Sequence, residues 1–310
     1  MLQILQIVLP VFLVIGAGYF AAYFKFFTED QASAMMRFAT QFAIPCLLFN
    51  ALVNLDLAKE FHPNILVPFY VGAFFSFAVV WLGAGLIFKH TPGARVAIGF
   101  AGLFSNLVLI GLSIIELAYG MEASKTAIAI IAMHAPFCYI LGIVSMEFSR
   151  ADGLGLGETL KSVVKQVFSN TLMIGIMLGF IVNLGQIAVP VSISTALNLI
   201  ATSALPVALF SLGALLISYR LRSGIGEVSM VSVSKLILHP VIAYLIGRFV
   251  FDLPPELLNP MVIMAAMPPG MNVYIFANIY DRAKGIAASS ILVSTVLSVV
   301  TISVWLVILE

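Results

Sequence analysis

The chain has 310 residues, of which 62% are hydrophobic and 9% charged, and its mean hydropathy is +1.12. A soluble domain of this length would carry roughly a quarter charged residues, so the composition indicates an integral membrane protein. The formal net charge of +1, without a run of Lys and Arg, argues against nucleic acid as a partner.

Ten apolar stretches, each long enough to cross a bilayer, follow one another along the chain. They cover 2–24, 31–53, 65–88, 94–118, 123–148, 165–184, 190–217, 231–251, 258–280 and 285–309. The first stretch lacks a basic leading region, so we interpret it as a membrane span and not as a cleaved signal peptide. Cys46 and Cys138 lie inside apolar stretches, which favours free buried thiols over a disulfide. The sequence predicts an all-α membrane protein with ten transmembrane helices.

The basic residues predict the orientation of these helices in the bilayer. The odd-numbered loops hold twelve Lys and Arg residues, whereas the even-numbered loops hold three. Cytoplasmic loops carry the excess of positive charge, so the 149–164 loop is predicted to be cytoplasmic and both termini to lie outside.

The chain also shows a weak internal repeat at an offset of 161 residues. This offset superposes Pro45 on Pro206, and AIPCLLFNAL at 43–52 on ALPVALFSLG at 204–213. The two prolines are expected to kink helices 2 and 7 in the same way, which makes them candidate hinges.

Each half of the chain holds five predicted spans. Because five is an odd number, equivalent helices of the two halves run in opposite directions, an arrangement typical of alternating-access carriers. The predicted organisation is a first repeat at 1–148, a cytoplasmic linker at 149–164 and a second, inverted repeat at 165–310.

Predicted helix 9 carries Pro268, Pro269 and Gly270 at about mid-depth, followed by Asn272. Two prolines remove two backbone donors, so a regular helix cannot continue through them. A broken helix in the membrane is tolerated where the freed groups face protein or water, and transporters build substrate sites there. The alternative is a proline kink packed against neighbouring helices, with Asn272 bonding a freed carbonyl.

The offset pairs helix 9 with helix 4, which carries Asn106 and Gly111 at mid-depth but no proline. Gly111 is the strict equivalent of Asn272. No Lys or Arg is expected near the centre of any span, so an anion would be held by the N-terminal ends of half-helices and by the two asparagines.

Four motifs carry a resemblance to a known family: PVFLVIGAGYF at 10–20, QFAIPCLLFNAL at 41–52, SNLVLIGLSIIELAYG at 105–120 and PPGMNVYIFANIYD at 268–281. With them the whole chain resembles the auxin efflux carrier family of bacterial and plant transporters, which includes bacterial malonate carriers. The resemblance implies ten helices in a five-plus-five inverted repeat, with broken helices 4 and 9 crossing near the bilayer centre. The implied fold is similar to that of bile acid:sodium symporters, in a bacterial inner membrane, with a homodimer formed through the first helices of each repeat.

The resemblance also implies that a carboxylate is held at this crossover. The residues that fall on it are Asn106, Gly111, Pro268, Pro269, Gly270 and Asn272. Many family members have proline where this chain has Ser113, so the break of helix 4 is expected to be milder or to depend on glycine.

Other polar residues have two interpretations each. Asn50 on helix 2 either lines the pocket or bonds a neighbouring helix. Glu116 is a coupling candidate or a solvated interfacial carboxylate. His134 and His239 are proton-relay candidates, or they bond carbonyls freed by the nearby prolines. The coupling ion is H⁺ or Na⁺, and no cofactor or resident metal is predicted.

These patterns predict a secondary carrier of small organic anions, mono- or dicarboxylates such as malonate, working by an elevator-like or rocking motion. The alternatives are a sodium-coupled symporter of larger organic anions, an anion channel and a non-transporting sensor. An enzyme is not expected, because the four histidines are scattered and no Ser/His/Asp arrangement is visible.

Overall fold

The computed structural model describes residues 2–149, 161, 168, 171–218 and 224–310, and this part of the chain is α-helical with no strand. Nearly all of the predicted linker at 149–164 lies outside the described residues. The helices are α1 (Leu2–Tyr23), α2 (Glu29–Val53), α3 (Leu57–Glu60), α4 (Pro63–Leu86), α5 (Pro92–Leu103), α6 (Leu107–Phe148), α7 (Thr171–Leu184), α8 (Val191–Leu216), α9 (Ile225–Phe249), α10 (Pro255–Ala265), α11 (Asn272–Ile279) and α12 (Lys284–Leu309).

Seven of these helices are long and apolar enough to cross a membrane, namely α1, α2, α4, α6, α8, α9 and α12. Predicted span 9 corresponds to the two shorter helices α10 and α11. Predicted span 4 corresponds to α5 and the start of α6, and predicted span 5 to the rest of α6. The membrane character of the chain is clear, and the count of ten spans stays a prediction.

A single glycine divides α6 into two arms, 107–119 and 121–148. Gly120 has φ +79° and ψ −176°, a conformation that only glycine adopts readily. A Cβ atom at this position would meet nothing within 4 Å, so the glycine is required by the backbone and not by packing.

Three helices lose their regular hydrogen-bond ladder next to a proline. In α2 a π-turn, Ala39–Ala43, precedes Pro45, and in α9 a π-turn, Ser234–Leu238, precedes Pro240. In α8 a turn at 202–203 precedes Pro206. Proline has no N–H and its ring crowds the preceding turn, so the ladder adjusts just before each one. Pro45 and Pro206 therefore follow local irregularities of their helices, while the two kinks and their action as hinges stay predictions.

Glycines let two pairs of helices come into backbone contact. On α1, Gly18 faces the Phe210 carbonyl of α8 so closely that a Cβ atom would overlap it. On α7, Gly179 lies against α2, where a Cβ atom would be 3.3 Å from the Phe49 carbonyl oxygen. Close approach of this kind supplies much of the van der Waals energy between helices in a bilayer.

We predict that Gly18→Ala destabilises the protein, because the new methyl group cannot fit against the Phe210 carbonyl unless α1 and α8 separate. Overpacking of this kind costs about 1–3 kcal/mol. The midpoint of heat-induced loss of the monodisperse peak, followed in detergent by size-exclusion fluorescence, should fall by several degrees. Gly16→Ala is the matched control, since no atom lies within 4 Å of its Cβ position. Equal midpoints for the two variants would contradict the proposed contact.

Candidate functional site

The two interrupted helix pairs, α5–α6 and α10–α11, meet in the middle of the protein. The chain is non-helical at 104–106 and at 266–271, and Ser105 and Pro269 form an isolated antiparallel bridge. All residues of 96–107 and 260–270 are buried. Irregular backbone at membrane depth is therefore enclosed by protein, which is the condition under which a bilayer tolerates it.

Each backbone donor of the first interruption has a partner. The amide of Asn106 donates to the Pro268 carbonyl at 2.8 Å, and the amide of Gly270 donates back to the Phe104 carbonyl at 3.2 Å. The amide of Ser105 donates to Nε2 of His134 at 3.0 Å. The interruption is thus held by tertiary hydrogen bonds and not by a proline.

The carbonyls at the C-terminal end of α5 are also satisfied. The hydroxyl of Ser76 donates to the Gly102 carbonyl at 2.7 Å, and Nζ of Lys235 donates to the Leu103 carbonyl at 3.2 Å. The last carbonyls of a helix have no intrahelical partner, so these two side chains supply what the interruption removes.

A cavity of about 550 Å³ opens beside the paired interruptions. Residues of α2, α6, α7, α8, α11 and both interruptions form its wall; the polar ones are Ser33, Arg37, Thr40, Gln41, Ser105, Asn106, His134, Tyr139, Thr171 and Asn272. Among the described residues that line it there is no carboxylate, and Arg37 is the one side chain with a permanent charge. This lining suits a small anion.

The N-terminal ends of two helices form part of this wall. Leu107 and Val108 begin α6, and Met271 and Asn272 begin α11. The first turn of a helix carries the positive end of its dipole, which makes such ends favourable sites for anions. At α11 the amides of Val273 and Tyr274 already donate to the carbonyls of Gly270 and Met271.

Two side chains in the wall have donors to offer. The hydroxyl of Tyr139 donates to Oδ1 of Asn272 at 3.2 Å, which leaves Nδ2 of the amide free to donate to a ligand. The hydroxyl of Ser105 is buried and has no hydrogen-bond partner among the described residues. A buried hydroxyl without a partner is costly, and a ligand in the cavity would satisfy it.

The structure brings some of the predicted site residues together and leaves others apart. Asn106, Gly270, Asn272 and His134 line the cavity, and Pro268 and Pro269 lie in the paired segment behind it. Gly111 packs against Met264 and Met267 just behind the wall. The remaining predicted residues do not line the cavity either; they are Asn50, Glu116, His239, Pro45 and Pro206.

Predicted helix 4, which corresponds to α5 and the start of α6, is interrupted although it has no proline. The interruption lies at 104–106, well before Ser113, whose hydroxyl donates to the carbonyl of Leu109 in the π-helical first turns of α6, Leu107–Leu112. The sequence predicts a milder break or one that depends on glycine, and the three interrupted residues at 104–106 include no glycine. The break exists because Pro268 and Gly270 offer partners to its backbone.

The two histidines do not bond the carbonyls that the nearby prolines free. Pro240 leaves the Leu236 carbonyl without its helical donor, and the indole of Trp305 donates to that carbonyl at 3.1 Å. His239 instead lies 3.0 Å from the Phe69 carbonyl, and His134 accepts the Ser105 amide.

The expectation that no Lys or Arg lies near the centre of a span is wrong. Lys235, counted as a loop residue, is fully buried near the middle of α9. Without Lys235 the odd-numbered loops still hold eleven Lys and Arg residues against three in the even-numbered loops, so the predicted orientation is unchanged. The sequence does hold one sign that Lys235 lies in a helix: it is four residues from His239, a spacing that places both side chains on one helix face.

We predict that a thiol at position 271 is reachable from water and one at position 273 is not. Met271 lines the cavity, whereas Val273, two residues further along, is fully buried. In a background of Cys46→Ala and Cys138→Ala, the Met271→Cys variant should react with a charged methanethiosulfonate at least about tenfold faster than Val273→Cys, because only a solvated thiol ionises. Equal rates would show that the cavity is closed to water.

Comparison with known proteins places the chain in a family. Residues 3–306 match the model of the membrane transport protein family. A Rhizobium meliloti (strain 1021) protein named "Putative malonate transporter" is 22% identical, with 98% of this chain and 95% of that protein aligned. "Uncharacterized transporter YfdV" of Escherichia coli (strain K12) is 25% identical, with 96% and 95% aligned. Auxin efflux carrier component 8 of Arabidopsis thaliana is 19% identical, again with 96% and 95% aligned. The chain therefore belongs to the membrane transport protein family, in which the auxin efflux carriers are found.

Proposed function

We propose that the protein is a secondary carrier of small organic anions, with the carboxylate held in the cavity beside the paired interruptions. The observation that carries this proposal is the chemistry of the cavity wall. Two helix N-termini, the amide of Asn272 and the free hydroxyl of Ser105 are donors, and no described carboxylate faces them. Neutral donors of this kind replace the hydration of a carboxylate without the tight hold of a direct ion pair.

A dicarboxylate such as malonate is the proposed substrate class. One carboxylate would be bound at the helix N-termini, and the second would be directed toward Arg37, the charged residue of the wall. A guanidinium group suits a carboxylate because it can donate two parallel hydrogen bonds. The relative from Rhizobium meliloti, named for malonate, supports the same class.

An inverted repeat is the second part of the proposal. Under the 161-residue offset Gly18 corresponds to Gly179, and Phe210 corresponds to Phe49. The same contact then occurs once in each repeat pair: Gly18 meets the Phe210 carbonyl, and Gly179 meets the Phe49 carbonyl. We propose two five-helix repeats, 1–148 and 165–310, related in this way, with α5–α6 and α10–α11 as the crossing, interrupted helices.

The cavity would face the cytoplasm in this conformation. Its wall includes Ser33 and Arg37 near the start of α2, Thr171 at the start of α7 and Leu215 near the end of α8. The predicted orientation puts all three of these helix ends on the cytoplasmic side, with both chain termini outside. Alternating access would expose the same site outside after an elevator-like or rocking motion of the interrupted helices.

Coupling and assembly complete the proposal. His134 lies in the cavity wall, and its Nε2 accepts a hydrogen bond from the interruption, so a proton arriving there would displace the Ser105 amide. We therefore favour H⁺ as the coupling ion over Na⁺. A homodimer in a bacterial inner membrane remains the proposed assembly.

We predict saturable uptake of radiolabelled malonate by proteoliposomes that contain the purified protein. Loss of a hydrogen bond to a charged carboxylate costs about 1.5–3 kcal/mol, so Asn272→Ala should raise the KM for malonate about tenfold or more. Asn278→Ala is the matched control, because Asn278 is exposed on the same helix and does not line the cavity.

Counterflow separates the possible outcomes of this experiment. A carrier preloaded with unlabelled malonate should accumulate labelled malonate transiently above its equilibrium level, which a channel does not do. Uptake without saturation or counterflow would contradict the carrier. Equal KM values for Asn272→Ala and Asn278→Ala would contradict the proposed site.

A further inference from the structure

A buried lysine lies directly behind the interruption between α5 and α6. Lys235 is fully buried, and its Nζ lies 3.2 Å from the Leu103 carbonyl and 2.9 Å from Nδ1 of His239. Nε2 of His239 lies 3.0 Å from the Phe69 carbonyl. Because a carbonyl can only accept, Nε2 carries the proton and Nδ1 accepts a hydrogen bond from Lys235. Among the described residues no carboxylate forms an ion pair with this lysine.

We propose that the ammonium group of Lys235 is a resident cation of the carrier, which takes the place of a bound metal ion at the C-terminal end of α5 and holds the interruption in its paired form. Lys235 is thus a positioning residue that acts through the Leu103 carbonyl. The inference concerns the interruption itself and does not depend on which anion is transported.

The position of the charge supports this role. The C-terminal end of a helix carries the negative end of its dipole, and the last carbonyls lack intrahelical donors. In carriers with interrupted helices such ends and unwound carbonyls coordinate Na⁺. Here Leu103 is the last residue of α5, and the group that meets its carbonyl is a covalently attached cation.

The residues next to Lys235 are held in place by close packing and by a hydrogen bond. A Cβ atom at Gly72 of α4 would lie 2.7 Å from Cδ2 of His239, so α4 approaches the imidazole as closely as its backbone permits. The indole of Trp305 bonds the Leu236 carbonyl, next to Lys235 on α9. These contacts fix His239 and the backbone beside Lys235, and charged side chains within a span are otherwise rare and costly.

The first test removes the charge and keeps the length of the side chain. The purified Lys235→Met variant should unfold at a midpoint several degrees below that of the wild type. Peptides that cover 104–110 and 266–272 should exchange their amide hydrogens at least tenfold faster by mass spectrometry. Lys125→Met is the matched control, since Lys125 is half-exposed and paired with Glu122 at the surface. A Lys235→Met protein as stable as the wild type, with unchanged exchange, would overturn the proposal, because a merely tolerated buried charge is replaced by a hydrophobe at no cost.

The second test returns the charge without the covalent link. In Lys235→Ala the missing atoms are those of n-propylamine, so n-propylammonium chloride should raise the unfolding midpoint toward that of the wild type and should slow exchange at 104–110. Choline chloride, a cation too large for the space, controls for ionic strength, and 1-propanol controls for volume. Equal rescue by 1-propanol, or rescue by neither compound, would overturn the role of the charge. Both tests are made without malonate, so a failure of the substrate assignment leaves them unaffected.

Discussion

The structure depends on one constraint: inside a bilayer, each backbone group freed by a broken helix must find a partner in the protein. The two interruptions meet this constraint largely through each other, since Asn106 donates to Pro268 and Gly270 donates to Phe104. The groups that remain are met by Ser76, His134 and Lys235. The polar residues at the centre of this apolar protein are therefore first of all backbone partners. The donors that no backbone group uses, such as the hydroxyl of Ser105, face the cavity.

The electrostatic consequence is a basic side chain on each side of the site. Arg37 is exposed and lies in the cavity wall two turns into α2, and Lys235 is buried behind the interruption on α9. Between them the site consists of helix N-termini and neutral donors. Such an arrangement attracts anions toward the cavity, because a cleft lined by one sign of charge raises the local concentration of its counter-ions.

Much of this arrangement follows from the sequence, and the remainder could not be read from it for physical reasons. The interruption near Pro268 and Pro269 was predictable, because proline breaks a helix by its own covalent structure. The interruption at Ser105 was not, since it is made by residues far along the chain, such as His134. Lys235 was misassigned because hydropathy treats a lysine near a predicted boundary as a loop residue, whereas α9 extends back to Ile225. The cavity itself gathers residues from five helices and leaves no local pattern.

Gly120 has a consequence for how this protein can move. The two arms of α6 meet at this residue with no loop between them, in a conformation that other residues adopt only under strain. The φ and ψ angles of Gly120 therefore govern how the arm at 107–119 is oriented relative to the arm at 121–148. A change in either angle would rotate one arm relative to the other about this single point, and an inserted residue would add two further free dihedral angles there. The connection therefore depends both on its length and on its glycine, because another residue would hold this conformation only under strain.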